Sequence, residues 1–297
     1  MKTYERSLDV WVINKVPDRK CATTFDEKRI GTMRRKPLLF PMLIVSMIML
    51  SNANRAMARS CDAREAIAVG ANGQLWVLGT YKVGLNSDFQ PFFWNGKEWG
   101  KVDGGLVNIA VLPDGNPVGI NSEAEIWQRA DAAWTRLPAT ADRIAVGANG
   151  QIWVLGTNHV GPGDYQPYFW DGKNWAGIDG GLTDIAVLPN GAPVGINSEG
   201  QIWQRINNVW TRLPDVAIRI AVGANGQIWI LGTNHVGADG DYQPYFWDGK
   251  KWTGVDGGLI EIAVSPNGSL IGVNSQGQIW QRINNGWIRL PGAAAGC

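Results

Sequence analysis

The chain has 297 residues, 27 Lys or Arg against 26 Asp or Glu, and 45% hydrophobic residues, among them 16 tryptophans. The formal net charge of +1 misleads: residues 59–297 carry sixteen Lys or Arg against twenty-one Asp or Glu with no basic cluster, which excludes the stripe of cations that nucleic-acid phosphates require. With two histidines and three cysteines, the chain also lacks the Cys and His spacings of a zinc site.

Residues 1–32 carry Cys21 and no hydrophobic periodicity, and are read as a non-native or disordered extension. Residues 33–58 follow as a secretory signal peptide. Met33-Arg34-Arg35-Lys36 gives the positive start, 38–50 the apolar run, and Ala56-Met57-Ala58 the small-residue cleavage site. The run is shorter than the roughly 20 apolar residues of a spanning helix. The expected mature chain, 59–297, is therefore secreted or periplasmic, with no membrane span. It is mildly acidic, with sixteen Lys or Arg against twenty-one Asp or Glu.

From residue 67 the sequence repeats. Aligned on the tripeptide Ile-Ala-Val, six units begin at Ile67, Ile109, Ile144, Ile185, Ile220 and Ile262, alternately long and short. A period of 35 to 42 residues suits propeller blades or solenoid rungs. In the long unit at Ile144, strands are predicted at 144–147, 151–157, 166–170 and 174–178. In the short unit at Ile185 they are predicted at 185–188, 193–197, 201–206 and 209–213. Asn149-Gly150, Asn190-Gly191 and Asp171-Gly172 supply hairpin turns. The expected fold is all-β: a six-bladed propeller of four-stranded antiparallel blades, with a linear β-solenoid as the alternative. Fifteen tryptophans lie in the repeats, three in each long unit and two in each short one, and are assigned mainly to packing between blades.

Counting by repeat position puts Cys61 where Pro214 stands and Cys297 where Ile220 stands. Both ends of the mature chain map to one connector, so a disulfide between Cys61 and Cys297 is expected to staple the ring. Ala58-Arg59-Ser60 is a poor lipid-attachment signal for Cys61.

Read together, "IAVGANGQIWVLGT", "PVGINSEGQIWQR" and "VWTRLP" resemble the tectonin repeat, over about residues 62–296. The resemblance implies a propeller, and a lectin that binds glycans, including methylated sugars or bacterial surface saccharides, at several equivalent sites. The long units depart from the simple repeat by about six extra residues, "NHVGPGDY" at 158–165 and "NHVGADGDY" at 234–242.

These inserts supply the candidate ligand-binding residues. Asn158, His159, Asp164, Tyr165 and Gln166, repeated as Asn234, His235, Asp241, Tyr242 and Gln243, combine amide, imidazole, carboxylate and phenol beside an aromatic face. That mixture suits vicinal hydroxyls and the C–H face of a sugar. The first copy carries Tyr81, Lys82, Asp88, Phe89 and Gln90 instead, so two strong sites and one weak or altered site are expected. Asn121, Asn197 and Asn274 are placed on the same rim and read as turn residues. Arg129, Arg205 and Arg282, with Arg136, Arg212 and Arg289, are read as salt-bridge partners or as side chains snorkelling over the blade edge.

The two histidines stand two units apart and cannot share a metal or proton relay, and no nucleotide or serine-hydrolase motif occurs. The chain is therefore expected to be a monomeric, non-enzymatic glycan-binding protein without metal or cofactor. A protein-binding scaffold is the alternative.

Overall fold

The computed structural model of the protein describes residues 65–295 apart from Asn86. The segments 1–32 and 33–58 and the cysteines Cys61 and Cys297 lie outside the described residues.

Twenty-three strands and no helix make up the described residues. Unit one is β1 (Ile67–Val69), β2 (Leu75–Val83), β3 (Asp88–Trp94) and β4 (Trp99–Lys101). Unit two is β5 (Asn108–Val111), β6 (Pro117–Ile120), β7 (Glu125–Ala130) and the first part of β8 (Ala133–Val146). The end of β8 opens unit three, with β9 (Ile152–His159), β10 (Tyr165–Trp170) and β11 (Trp175–Gly177). Unit four is β12 (Asp184–Val187), β13 (Pro193–Ile196), β14 (Gln201–Ile206) and β15 (Val209–Val216). Unit five is β16 (Arg219–Val222), β17 (Ile228–Val236), β18 (Asp241–Trp247) and β19 (Trp252–Gly254). Unit six is β20 (Glu261–Val264), β21 (Leu270–Val273), β22 (Ile279–Ile283) and β23 (Gly286–Arg289).

Each unit is an antiparallel meander, and the strands that open the units pack in sequence around an axis. β1 touches β5, β5 touches β8, and so on to β20, which returns to β1. That closed circuit is a propeller and excludes the linear solenoid. One detail departs from expectation. Units two and three form a single seven-stranded sheet, because β8 keeps its pairing through the connector, Ala141 opposite Gly156 and Arg143 opposite Leu155. At the equivalent connector between units four and five the ladder breaks at Ala217 and Ile218.

The repeated isoleucine explains the packing. Ile67, Ile109, Ile144, Ile185, Ile220 and Ile262 are all 3% exposed or less. Each contributes about 1.5–3 kcal/mol by burial, by the usual area estimate. The hairpins of the short units need left-handed residues, met at Asn207 and Asn208 and at Asn284 and Asn285, with φ between 48° and 65°. Asn tolerates that region by local hydrogen bonding. In the long units a proline sits in the third strand beside a register shift, Pro167 opposite Leu155 and Pro244 opposite Leu231. Proline has no N–H to donate, and the irregularity accommodates it.

Tryptophan N–H groups tie neighbouring units together. Trp76, Trp153 and Trp229 donate to the carbonyls of Gly115, Gly191 and Gly268 in the following unit, each at 3.0 Å. Trp175 and Trp252 donate backwards to Pro138 and Pro214 at 2.7 and 2.9 Å. Trp99 donates to Pro291 at 2.7 Å, so the last unit holds the first in the same way. The closure is completed by Ala294, which bridges to Gly79, and by the N–H of Ala295, which donates to Leu78.

Candidate functional site

The long-unit inserts stand where expected, but the five residues of each copy do not converge. Asn158 and Gln166 lie on the face of unit three that packs against unit two. His159, Asp164 and Tyr165 lie on the face toward unit four. The division follows strand alternation. Val154 and Tyr168 belong to the cluster shared with unit two, whereas Trp153, Leu155 and Tyr165 belong to the one shared with unit four.

On the first face a relay runs from Asn158 inward. Asn158 Nδ2 donates to Tyr168 Oη at 3.3 Å, Tyr168 Oη donates to Gln166 Oε1 at 2.9 Å, and Gln166 Nε2 donates to the carbonyl of Ile178 at 3.3 Å. Unit five repeats it as Asn234 to Tyr245 (2.8 Å), Tyr245 to Gln243 (2.9 Å) and Gln243 to Val255 (3.2 Å). Tyr168 lies flat over the sheet between Gly156 and Gly177, where a Cβ would come within 2.8 and 2.9 Å of its ring. A side chain at either position would lift the ring. Around it opens an inter-unit groove of about 360 Å³, walled by Arg136 and Thr140 of unit two and by Thr157, Asn158, Tyr168 and Trp175 of unit three. It offers a flat aromatic surface, a guanidinium, hydroxyls and an amide, in a volume suited to a small ligand.

On the second face the imidazole of His159 stacks on Tyr165 with centroids 4.4 Å apart, as His235 does on Tyr242. The aspartates serve the ring itself. Asp164 Oδ1 accepts the N–H of Ser198 at 2.6 Å, Asp241 that of Ser275 and Asp88 that of Ser122, both also at 2.6 Å. Each fastens a long insert to the next unit's turn. Asn121, Asn197 and Asn274 form those turns, accepting N–H groups two or four residues on, as expected of turn residues.

In unit one Tyr81 and Phe92 replace the Asn and Tyr of the relay, and Gln90 is buried with its amide donated to Val102. On the other face Lys82 sits over Phe89 at 5.6 Å. Sequence reasoning missed Tyr168, Tyr245 and the groove walls. The signal was present: where Asn158 and Asn234 become Tyr81, Tyr168 and Tyr245 become Phe92, a paired change ten or eleven residues apart.

The recurring arginines are structural. Arg129, Arg205 and Arg282 pair with Asp103, Asp179 and Asp256 at 2.6 to 2.7 Å. Each also lies over a tryptophan, Trp134, Trp210 or Trp287, at 5.4 to 5.5 Å.

A second polar constellation, also missed, occupies the axis. The residue before each Ile-Ala-Val is Ala66, Asn108, Arg143, Asp184, Arg219 or Glu261. Arg219 Nε and Nη2 donate to Glu261 Oε1 at 3.3 and 3.2 Å. Asp184 accepts the N–H groups of Ile185 and Ile220 at 3.1 and 3.0 Å. Burial raises Glu65 well above the usual carboxylate range, reinforced by Asp184 and Glu261. Burial likewise raises Asp184 and Glu261, against the pull of the two arginines. The Glu261 carboxylate holds Arg219 more firmly protonated, while burial lowers Arg143.

Among the described residues no helix is long and apolar enough to cross a membrane. The tectonin domain family model matches residues 64–231 and 230–295. Tectonin-1 of Physarum polycephalum is 42% identical over 69 residues, covering 22% of this chain and 29% of its own. The chain thus aligns with under a third of that relative's length. Among solved structures, a gluconolactonase from Xanthomonas campestris aligns over 76% of this chain and 85% of its own, with a TM-score of 0.49 and 14% identity. YCF48 bound to a D1 peptide aligns over 78% and 83%, with a TM-score of 0.48 and 14% identity. At that distance neither brings an activity or a ligand to this chain. The expectation of a non-enzymatic chain is nevertheless corrected. It assumed acidic residues spread with the repeat, whereas Glu65, Asp184 and Glu261 interact with one another on the axis. The two family matches together run over residues 64–295, well over half of its length, and the chain belongs to the tectonin domain family.

Proposed function

We propose that the protein is an exported, multivalent carbohydrate-binding protein whose ligands are glycans displayed on a cell surface or envelope. The observation that carries this reading is the groove of Tyr168, whose ring, glycines and amide recur at Tyr245. In each a flat phenol ring, held by glycines beneath it, stands beside an exposed amide and an indole. Stacking on the ring accepts the C–H face of a pyranose, and the amide and hydroxyls meet its hydroxyl groups. Several sites on one ring gain avidity on a surface carrying many copies of one sugar. The membership of the tectonin family, whose characterised members include lectins for methylated and bacterial surface sugars, supports the same reading.

Export follows from the leader at 33–58, with cleavage near Ala58 and a secreted or periplasmic product. The contact of Ala294 and Ala295 with unit one supports a Cys61–Cys297 cross-link at the same junction. The test is a glycan array probed with residues 59–297, followed by calorimetry on a binding sugar. Two strong sites per chain and a weaker third are expected. Three equal sites, or one site for a single protein partner and no glycan binding, overturn the reading.

A further inference from the structure

The junction of units six and one, where the ring closes, repeats the frame of the groove at Tyr168 with different side chains. Trp99 reaches Pro291 at 2.7 Å there, as Trp175 reaches Pro138. The flat ring is Phe92, lying over Gly79, where a Cβ would come within 2.6 Å of it. Tyr81, 74% exposed, takes the place of Asn158. Without the Asn amide and the hydroxyl on the flat ring, the junction lacks the groups that meet the hydroxyls of a neutral sugar at Tyr168 and Tyr245.

What it gains is positive charge. Lys101 stands where units three and five have glycine: Phe92 pairs with Lys101 as Tyr168 pairs with Gly177 and Tyr245 with Gly254. Residues paired across two strands share a face of the sheet, so the Lys101 side chain leaves from beside the Phe92 ring. Unit six contributes Arg289, at the register position of the groove-wall residue Arg136, since Arg289 lies opposite Trp280 as Arg136 lies opposite Trp127. Lys101 and Arg289 are both exposed.

At the other two junctions the cation is balanced. Arg136 pairs with Glu125 at 3.1 Å. Arg212 has Asp215 on the same connector, a left-handed position that is Ala139 at the wall of the Tyr168 groove. Unit six carries neither acid, with Gln278 in the place of Glu125 and the left-handed Gly292 in the place of Asp215. Among the described residues, the side chains of Lys101 and Arg289 have no ion-pair or hydrogen-bond partner. Two unanswered cations beside a flat apolar ring suit a ligand with a negative charge and a C–H face. A guanidinium takes a carboxylate or phosphate through two parallel bonds, an ammonium adds a point charge, and the ring stacks on a pyranose.

We propose that the junction of units six and one is a single-copy site for an acidic sugar, one carrying a carboxylate or phosphate, with Phe92 as the stacking surface and Lys101 and Arg289 as the charge-binding groups. The proposal rests on the reading of the rim as carbohydrate-binding, and gives the weaker third site of that reading a specificity of its own.

The test is calorimetry on the full chain at about 10 mM salt, where charges act over about 30 Å. The probes are D-glucuronate and D-glucose 6-phosphate, with D-glucose as the neutral counterpart and acetate and inorganic phosphate as bare anions. An acidic sugar is expected to bind at one per chain, at least about fivefold tighter than D-glucose or either bare anion, and the preference over D-glucose should fade at about 1 M salt. Lys101→Met keeps the apolar stem without the charge and is expected to weaken this binding at least about fivefold, as is Arg289→Met. Both positions are exposed, so an unchanged thermal midpoint shows that the variants fold. The proposal is overturned if no acidic sugar binds at tens of millimolar, if a bare anion binds as tightly, or if the affinity survives Lys101→Met. Neutral glycans on the array keep the two readings apart. If they bind while no acidic sugar does, this proposal alone falls, whereas a chain that binds neither kind loses both.

Discussion

Arg219→Met is the sharpest probe of the ring's axis. The guanidinium donates twice to Glu261 Oε1, at 3.3 and 3.2 Å, and the carboxylate side chain is only 6% exposed. Removing the cation leaves Glu261 buried beside Asp184, a like charge. Breaking a buried pair on one side costs about 3–5 kcal/mol. At about 2–4 °C per kcal/mol for a domain of this size, that lowers the thermal midpoint by about 6–20 °C. Glu261→Leu alone costs less, because Arg219 keeps Asp184 as a partner and is 27% exposed to solvent. The double variant Arg219→Met, Glu261→Leu returns to within about 1 kcal/mol of the parent, since neither charge is then buried alone. Urea unfolding followed by tryptophan fluorescence measures all four species. The reasoning fails if Arg219→Met loses under about 1 kcal/mol, or if the double variant loses the sum of the singles. Acid offers a further check. Without Arg219 the Glu261 carboxyl is protonated over a wider pH range, so the deficit of the single variant shrinks as pH falls toward 4.

Three other outcomes are expected. Tyr168→Phe removes the hydroxyl between Asn158 and Gln166, at a cost of about 0.5–1.5 kcal/mol. Calorimetry on a binding glycan should then show one strong site lost and the Tyr245 site unchanged. Gly180→Ala adds a Cβ 2.7 Å from Trp210 Nε1 at a position with φ of 98°. Strain of that kind costs about 1–3 kcal/mol, read as a lower urea midpoint. The pH dependence follows from Glu65, Asp184 and Glu261, all raised by burial. Their stabilising contribution is complete below the unfolded carboxylate values of about 4 and is lost as pH rises through the raised folded ones. Asp171, Asp248 and Asp256 are lowered, by backbone N–H groups in the first two and by Arg282 in the third, and act oppositely as pH falls below about 4. Urea midpoints should therefore be higher at about pH 5 than at about pH 7.5, and Glu65→Gln should flatten the slope. A midpoint that climbs steadily to alkaline pH contradicts the assignment.

The rim and the core were legible because they repeat. Six isoleucines at regular intervals, Asn-Gly turns and tryptophans at fixed offsets are enough to read strand, turn and wedge, and the structure bears out the propeller. The grouping of site residues was not legible. His159 and Asn158 are neighbours in sequence, but neighbours in a strand point to opposite faces, so each joins a different inter-unit surface. Counting strand alternation from Tyr168, opposite Val154, through the register shift at Pro167 would have separated them. The aspartates misled for a different reason. A carboxylate in a polar loop looks available for a ligand, yet Asp88, Asp164 and Asp241 each spend an oxygen on the backbone of the next unit.

The axis escaped notice because closure forbids repetition there. Groups on the rim of a ring are far apart, so one receptor surface can be copied from unit to unit at no electrostatic cost. Groups on the axis meet, and six like charges brought together would repel strongly in buried surroundings. The column before Ile-Ala-Val therefore carries Arg143, Asp184, Arg219 and Glu261 in alternating sign, and Asn108 and Ala66 without charge. A periodicity search discards such a column as noise. In a closed ring of near-identical units, a buried position whose residue changes at every unit marks the place where all the units touch.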